Sequence, residues 1–168
     1  PYVVGTEKDL AHDLSHIQRV WNNVRAIQRI EGGDLEVLTA ATLLHDCVGV
    51  AKDSEDRDRA SRLSSIKATE ILTTMNWPRH KIKLVAHAVE AHSFSACITP
   101  ETIEAKIIQD ADRLDALGYI GVARCFYVAG CLGSSLYDPL DPLAKSRQLD
   151  DSHFALDHFP AKLMRIGK

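Results

Sequence analysis

The chain has 168 residues, 45% of them hydrophobic and 26% charged, which supports one domain with its own core and excludes wholesale disorder. A formal net charge of -3 lacks the basic excess of a surface that tracks phosphate backbones, so nucleic acid is not an expected partner. No apolar run approaches a membrane span and the opening PYVVGTEKDL has no signal-peptide pattern, so no membrane partner and a cytoplasmic location are expected.

Apolar residues recur mostly three and four apart and turn signals are few, so the expected fold is all-α: a single-domain bundle of about six or more helices. One helix is expected over about 12 to 30, ended by Gly32 and Gly33, and a second from a cap at Asp34 to Cys47, ended near Gly49. The stretch AKDSEDRDRASR, 51 to 62, is polar throughout and reads as a solvated loop. A helix over about 64 to 75 follows, then NWP, where Pro78 suits the first turn of a helix running to about Ala91. Thr99 as N-cap and Pro100 at the first helical position begin the next, through ETIEAKIIQDADRLDALG, and a further apolar helix occupies about 119 to 132. After YDPLDPL the tail has room only for a short closing helix before and around Pro160. No repeat or linker marks a second domain. The cysteines, Cys47, Cys97, Cys125 and Cys131, form no C-x-x-C pair and read as free, mostly packed thiols.

In TLLHDCVG, residues 42 to 49, the three-four step through Leu38, Ala41, His45 and Val48 puts His45 on an apolar face with Asp46 beside it. A partly buried carboxylate costs several kcal/mol unless something offsets it, and a divalent cation is the strongest compensator; an arginine or a helix N-terminus also serves. His12 and His16 share a helix face, with Asp13 three before His16. In KIIQDADRLDALG, Asp110 and Asp112 fall on opposite flanks of the apolar side and Asp115 lies nearest the core, and periodicity does not choose among the three.

These ordered segments, H-x-x-R-V at His16, L-L-H-D at 43 to 46 and D-A-D-R-L at 110 to 114, resemble the HD superfamily of metal-dependent phosphohydrolases. AHSFS, AKIIQDADRLDALGYIG and LDHFPAKL look like its small bacterial branch, which includes nucleotide pyrophosphohydrolases. The resemblance implies a single HD domain over 1 to 168 and four metal ligands, His16, His45, Asp46 and Asp112. Asp112 is chosen by that resemblance and not by geometry. Asp110 and Asp115 are then left for capping, for roles behind the ligands or for the substrate side, and His12 and Asp13 for orienting His16.

Two imidazoles and two carboxylates suit one divalent ion, manganese first, with magnesium, iron, cobalt, nickel and zinc as the others. The expected reaction is hydrolysis of a phosphoester or phosphoanhydride in a small-molecule substrate by a metal-activated water, with Asp46 and Asp112 as the catalytic ligands. The resemblance suggests a nucleoside triphosphate cleaved to monophosphate and pyrophosphate. Lys52, His87, His92 and Arg113 are the expected contacts to substrate phosphate. His87 and His92 point about 140° apart on a continuous helix, so they share an ion only if the helix ends between them. Their plainer roles are a packed ring for His87 and a helix-end cap for His92. Two other classes compete: a metal and nucleotide sensor without turnover, and a two-iron HD oxygenase. The tail after Pro142 either closes over the pocket or packs on the bundle; deletion from Asp150 raises the Michaelis constant at unchanged metal content in the first case.

Overall fold

The computed structural model describes residues 13–50 and 59–166, which contain seven α-helices and no strand. Two compact units divide the chain, residues 1–114 and 115–168. No single described helix is long and apolar enough to cross a membrane.

In the first unit α1 spans Leu14–Glu31, α2 Leu35–Leu44, α3 Ala60–Thr74, α4 Arg79–Ala91 and α5 Ile103–Asp115. Asp13 starts α1, its carboxylate accepting from the His16 N–H at 3.0 Å. Gly32 and Gly33 end it with φ of 83° and 92°, the left-handed region that disfavours side chains. Gly33 also lies against Leu38, Glu104 and Ile107, where a Cβ would meet their atoms at 3.4 to 3.6 Å. Asp34 caps α2 by accepting from the Glu36 and Val37 N–H groups, and Glu104 from α5 accepts the Asp34 N–H at 2.9 Å. Lys81 of α4 pairs with Asp34 at 2.9 Å, fastening a third helix at the same corner.

The core is built from the buried stripes of all five helices: Val20 and Val24, Val37, Leu38 and Ala41, Ala68 and Leu72, Val85, Ala88 and Val89, and Ala105, Ile107, Ile108 and Ala111. Full burial of Leu38 contributes about 2 kcal/mol, which makes this stripe the main force holding the helices together.

Four expected boundaries move. The second helix stops at Leu44 instead of Cys47, with His45 as its C-cap. The third begins at Ala60, so 60 to 62 are helical where a loop was expected, and residues 51–58 lie outside the described structure. Its buried face opens on Ser61, Ser64 and Ser65, whose hydroxyls conceal the helical period from a hydrophobicity pattern. Pro78 is the N-cap of α4 and not its first residue. Thr99 and Pro100 do not start α5: the Glu101 N–H donates to His87 Nε2 at 2.9 Å, and Thr102 Oγ1 accepts from the Ala105 N–H at 3.2 Å as the actual cap.

In the second unit α6 spans Gly118–Leu132 and α7 His158–Ala161, with 3-10 turns at Ala155–Asp157 and Leu163–Arg165. Gly133 closes α6 in the left-handed conformation. The tail returns beside its end through an isolated parallel bridge, in which Ser135 N–H donates to His153 O and Ala155 N–H to Ser135 O, both at 2.9 Å. All four cysteines are free, but Cys97 and Cys131 are exposed and only Cys47 and Cys125 are half-buried, so the packed reading fails for two of them.

Asp157, 2% exposed, anchors the tail. Arg147 grips both its carboxylate oxygens, Nη2 to Oδ1 at 2.9 Å, and the Asp150 N–H donates to it at 2.7 Å. The Arg147 guanidinium holds the Asp157 carboxyl below the usual range. The unfolded chain therefore binds the proton more readily, so this stabilisation is complete above the unfolded pKa of about 4 and is lost as pH falls through the folded value. Asp157→Asn is expected to lower Tm by several degrees at pH 7 and to lose less Tm than the parent between about pH 5 and pH 3, followed by circular dichroism. Equal melting at pH 7 would show that the pair contributes nothing.

Candidate metal centre

The first unit brings together side chains from four of its helices or their ends: His16 from α1, His45 and Asp46 where α2 stops, His92 where α4 stops, and Asp112 from α5. His16 and His45 are wholly buried, and their Nε2 atoms face each other at 3.2 Å. Asp112 Oδ1 lies 3.5 Å from His16 Nε2 and 3.9 Å from His45 Nε2. Asp46 Oδ2 lies 3.6 Å from His45 Nε2 and 3.9 Å from His16 Nε2.

The orientation of His45 follows from its place at the end of α2. The last carbonyls of a helix lack intrahelical partners, and the ring Nδ1–H donates to one of them, Thr42 O, at 2.8 Å. That bond assigns the proton to Nδ1 and turns the Nε2 lone pair toward His16. Burial lowers the His45 pKa, outweighing the Asp46 carboxylate that raises it, and this favours the neutral ring that serves as a ligand.

The donor set fits a divalent cation. An ion with ligands at about 2.1 Å has adjacent donors about 3 Å apart; here the two imidazole nitrogens lie 3.2 Å from each other and 3.5 to 3.9 Å from each carboxylate, and His16, His45 and Asp112 form one group of metal-ligating geometry. Two buried imidazole nitrogens aimed at one point beside two carboxylates are mutually compensated by a positive charge placed among them. The site also has a direction: the imidazoles form a sealed floor, while the Asp46 and Asp112 side chains are 30% and 25% exposed at its mouth.

His92, expected as a phosphate contact, stands against Asp46. Its Nδ1–H donates to Val89 O at 2.6 Å, and its Nε2 lies 3.4 Å from Asp46 Oδ1. Its ring meets His45 edge-on at 4.9 Å between centroids. Burial pulls the His92 pKa down, but the bond to Asp46 and the charges of Asp46 and Asp112 more than offset this, and it is pushed up to about 9. His45, Asp46 and His92 also form a group of metal-ligating geometry, but it draws on the same His45 Nε2. One imidazole nitrogen binds one ion, so the two groups describe a single centre.

The other expected residues that are described have contacts of their own. His87 accepts the Glu101 N–H and serves the loop before α5. The Arg113 guanidinium stacks on Phe94 at 5.4 Å, and its Nε is buried without a hydrogen-bond partner. Asp110 is exposed, whereas Asp115 is 5% exposed and bonded by Arg124 Nη1 at 2.5 Å in the second unit. Asp13 holds the backbone of His16 rather than its ring. Lys52 and His12 lie outside the described residues.

Three polar residues that the sequence reading passed over support the cluster. Thr42 orients His45 through its carbonyl; Asn23 Nδ2 donates to Ala111 O at 3.0 Å, beside Asp112; and Gln109 Nε2 donates to Ala91 O at 2.7 Å, beside His92. For Asn23 and Gln109 the only sequence signal is a polar side chain on an apolar face, clearest for Gln109 within KIIQDAD, and Thr42 acts through a main-chain carbonyl that leaves no signal.

The profile of the HD domain family matches residues 13–117, which hold all five side chains. Over 165 residues, 96% of this chain and 72% of the relative, the sequence is 32% identical to the uncharacterized protein YpgQ of Bacillus subtilis. The crystal structure of Bacillus subtilis YpgQ in complex with ADP superposes with a TM-score of 0.67 at 34% identity, covering 93% of this chain and 73% of that one. An HD-superfamily hydrolase from Bacillus thuringiensis superposes with a TM-score of 0.63 at 33% identity, covering 92% and 70%. With the motif order, the helical fold and the buried histidine-aspartate cluster in agreement, this chain belongs to the HD domain family, within the HD hydrolase superfamily.

Proposed function

We propose that this chain hydrolyses a phosphoanhydride or phosphoester bond in a nucleotide, foremost a nucleoside triphosphate to its monophosphate and pyrophosphate. One divalent cation, manganese first, is held by His16, His45, Asp46 and Asp112. The observation that carries this reading is the pair of buried Nε2 atoms 3.2 Å apart, closed on the open side by two carboxylates. The ADP complex of YpgQ, 34% identical, supports a nucleotide as the ligand class. The sharing of His45 Nε2 between the two ligand groups supports one ion per chain.

When bound, such an ion supplies Lewis acidity, making water a nucleophile at neutral pH and offsetting charge on phosphoryl oxygens. His16 and His45 contribute imidazole nitrogen from the buried floor, and Asp46 and Asp112 bring the negative charge that balances the cation. Their exposed edges leave the mouth as the side from which substrate and water approach. Arg113, next to Asp112 in the chain and half-buried, is the side chain we assign to a phosphoryl oxygen, through its guanidinium.

The test is release of phosphate and pyrophosphate from a nucleotide panel by metal-stripped protein, with manganese, magnesium or nothing added back. Pyrophosphate is expected only with metal, and none from Asp46→Ala. A parent protein that binds nucleotide and metal but releases nothing would make the sensor reading the better one.

A further inference from the structure

The last turn of α4 carries the carbonyls of residues 88 to 91, which have no N–H partner within the helix. Gln109, 7% exposed, reaches from α5 and donates its amide to the last of them, Ala91 O, at 2.7 Å. The next residue is His92, whose backbone caps the helix and whose ring is locked by Val89 O in the same turn. Three residues after Gln109, on a neighbouring part of the α5 surface, comes Asp112. One buried amide thus ties the helix that carries Asp112 to the helix end that carries His92.

His92 in turn divides the work of the Asp46 oxygens. Oδ1 faces His92 Nε2 at 3.4 Å, and Oδ2 faces the two buried histidines. With Nδ1 committed to a carbonyl and Nε2 to a carboxylate, no ring nitrogen of His92 is left for substrate.

We propose that Gln109 and His92 form a positioning relay: Gln109 fixes the end of α4, His92 holds Asp46 Oδ1, and Asp46 is thereby presented to the metal through Oδ2 alone. Neither residue is a ligand. Groups standing behind metal ligands change affinity by about ten- to a hundredfold when removed, and the relay places Gln109 two steps behind. This inference rests on the metal site of the proposed function and not on the identity of its substrate.

The experiment is calorimetric titration of manganese into metal-stripped protein. Gln109→Met keeps the side-chain volume and removes the donor, and it is expected to weaken manganese binding about tenfold at an unchanged one ion per chain. His92→Ala is expected to weaken it at least as much, whereas His92→Gln, which keeps an N–H for Asp46, restores most of the loss. The double variant Gln109→Met, His92→Ala is expected to bind no worse than His92→Ala, because the two residues act in series. Ser65→Ala is the control: its hydroxyl anchors the same helix at Ala86 O, 2.8 Å, away from the cluster, so it is expected to lower Tm at parental manganese affinity.

Parental affinity in Gln109→Met, additive losses in the double variant, or an affinity loss in Ser65→Ala equal to that in Gln109→Met would each overturn the relay. If Gln109→Met does not fold, equal losses in His92→Ala and His92→Gln do so. A parent protein that binds manganese but cleaves no nucleotide overturns the proposed function and leaves the relay in place. A parent that takes up no divalent ion overturns both.

Discussion

Asp112→Ala is expected to lower nucleotide hydrolysis by more than about a hundredfold and to remove tight manganese binding, while circular dichroism still reports a folded helical protein. The side chain is 25% exposed and spans the mouth of the cluster, so its loss opens no cavity in the core. It does remove one of the two carboxylates that balance the cation in the proposed site. The same substitution at the two neighbouring aspartates separates their roles. Asp110→Ala, at an exposed position, is expected to leave both activity and Tm near parental. Asp115→Ala breaks a buried pair with Arg124 and is expected to lower Tm before it touches metal affinity. Manganese binding retained in Asp112→Ala but lost in Asp110→Ala would move the ligand by two residues and undo the assignment.

Gly121→Ala is the substitution with the largest expected cost to folding. A Cβ at that position would stand 2.0 Å from the Ala116 carbonyl oxygen and 2.3 Å from its carbon. Both are main-chain atoms of the turn leading into α6, so no side-chain rotation relieves the overlap. The turn must open or the first turn of α6 must unwind, breaking the Gly121 N–H bond to Leu117 O. The expected loss is more than about 4 kcal/mol, read as a large drop in the urea midpoint. A midpoint within error of the parent would mean that the turn relaxes freely.

The features readable from the amino-acid string are those whose physics is local. Asp34 before an apolar run, the paired glycines after residue 31 and the three-four step of the core stripes each act within a turn or two, and each stands where expected. The histidine-aspartate segments were legible because neighbouring residues carry them. Asp112 was separable from Asp110 and Asp115 only by resemblance, and the structure supplies the physical difference: one faces the two imidazoles, one faces solvent and one faces Arg124. What the string concealed are bonds between a side chain and a distant carbonyl. Asn23 to Ala111 spans 88 residues and Gln109 to Ala91 spans 18, and neither leaves a periodic trace. The serine face of α3 was missed for the opposite reason, because small hydroxyls bury well but score as polar.

The dry floor of imidazoles and the wet rim of carboxylates also dictate an order of arrival. Before the cation is seated, the rim presents two negative charges to anything entering, and a polyphosphate approaching it is repelled. On the proposed function, a seated divalent cation would cancel those two charges, and the repulsion against the same polyphosphate would be removed. The proposed function thus predicts an order, metal before nucleotide, because the two carboxylates gate the mouth against a polyphosphate until their charge is balanced.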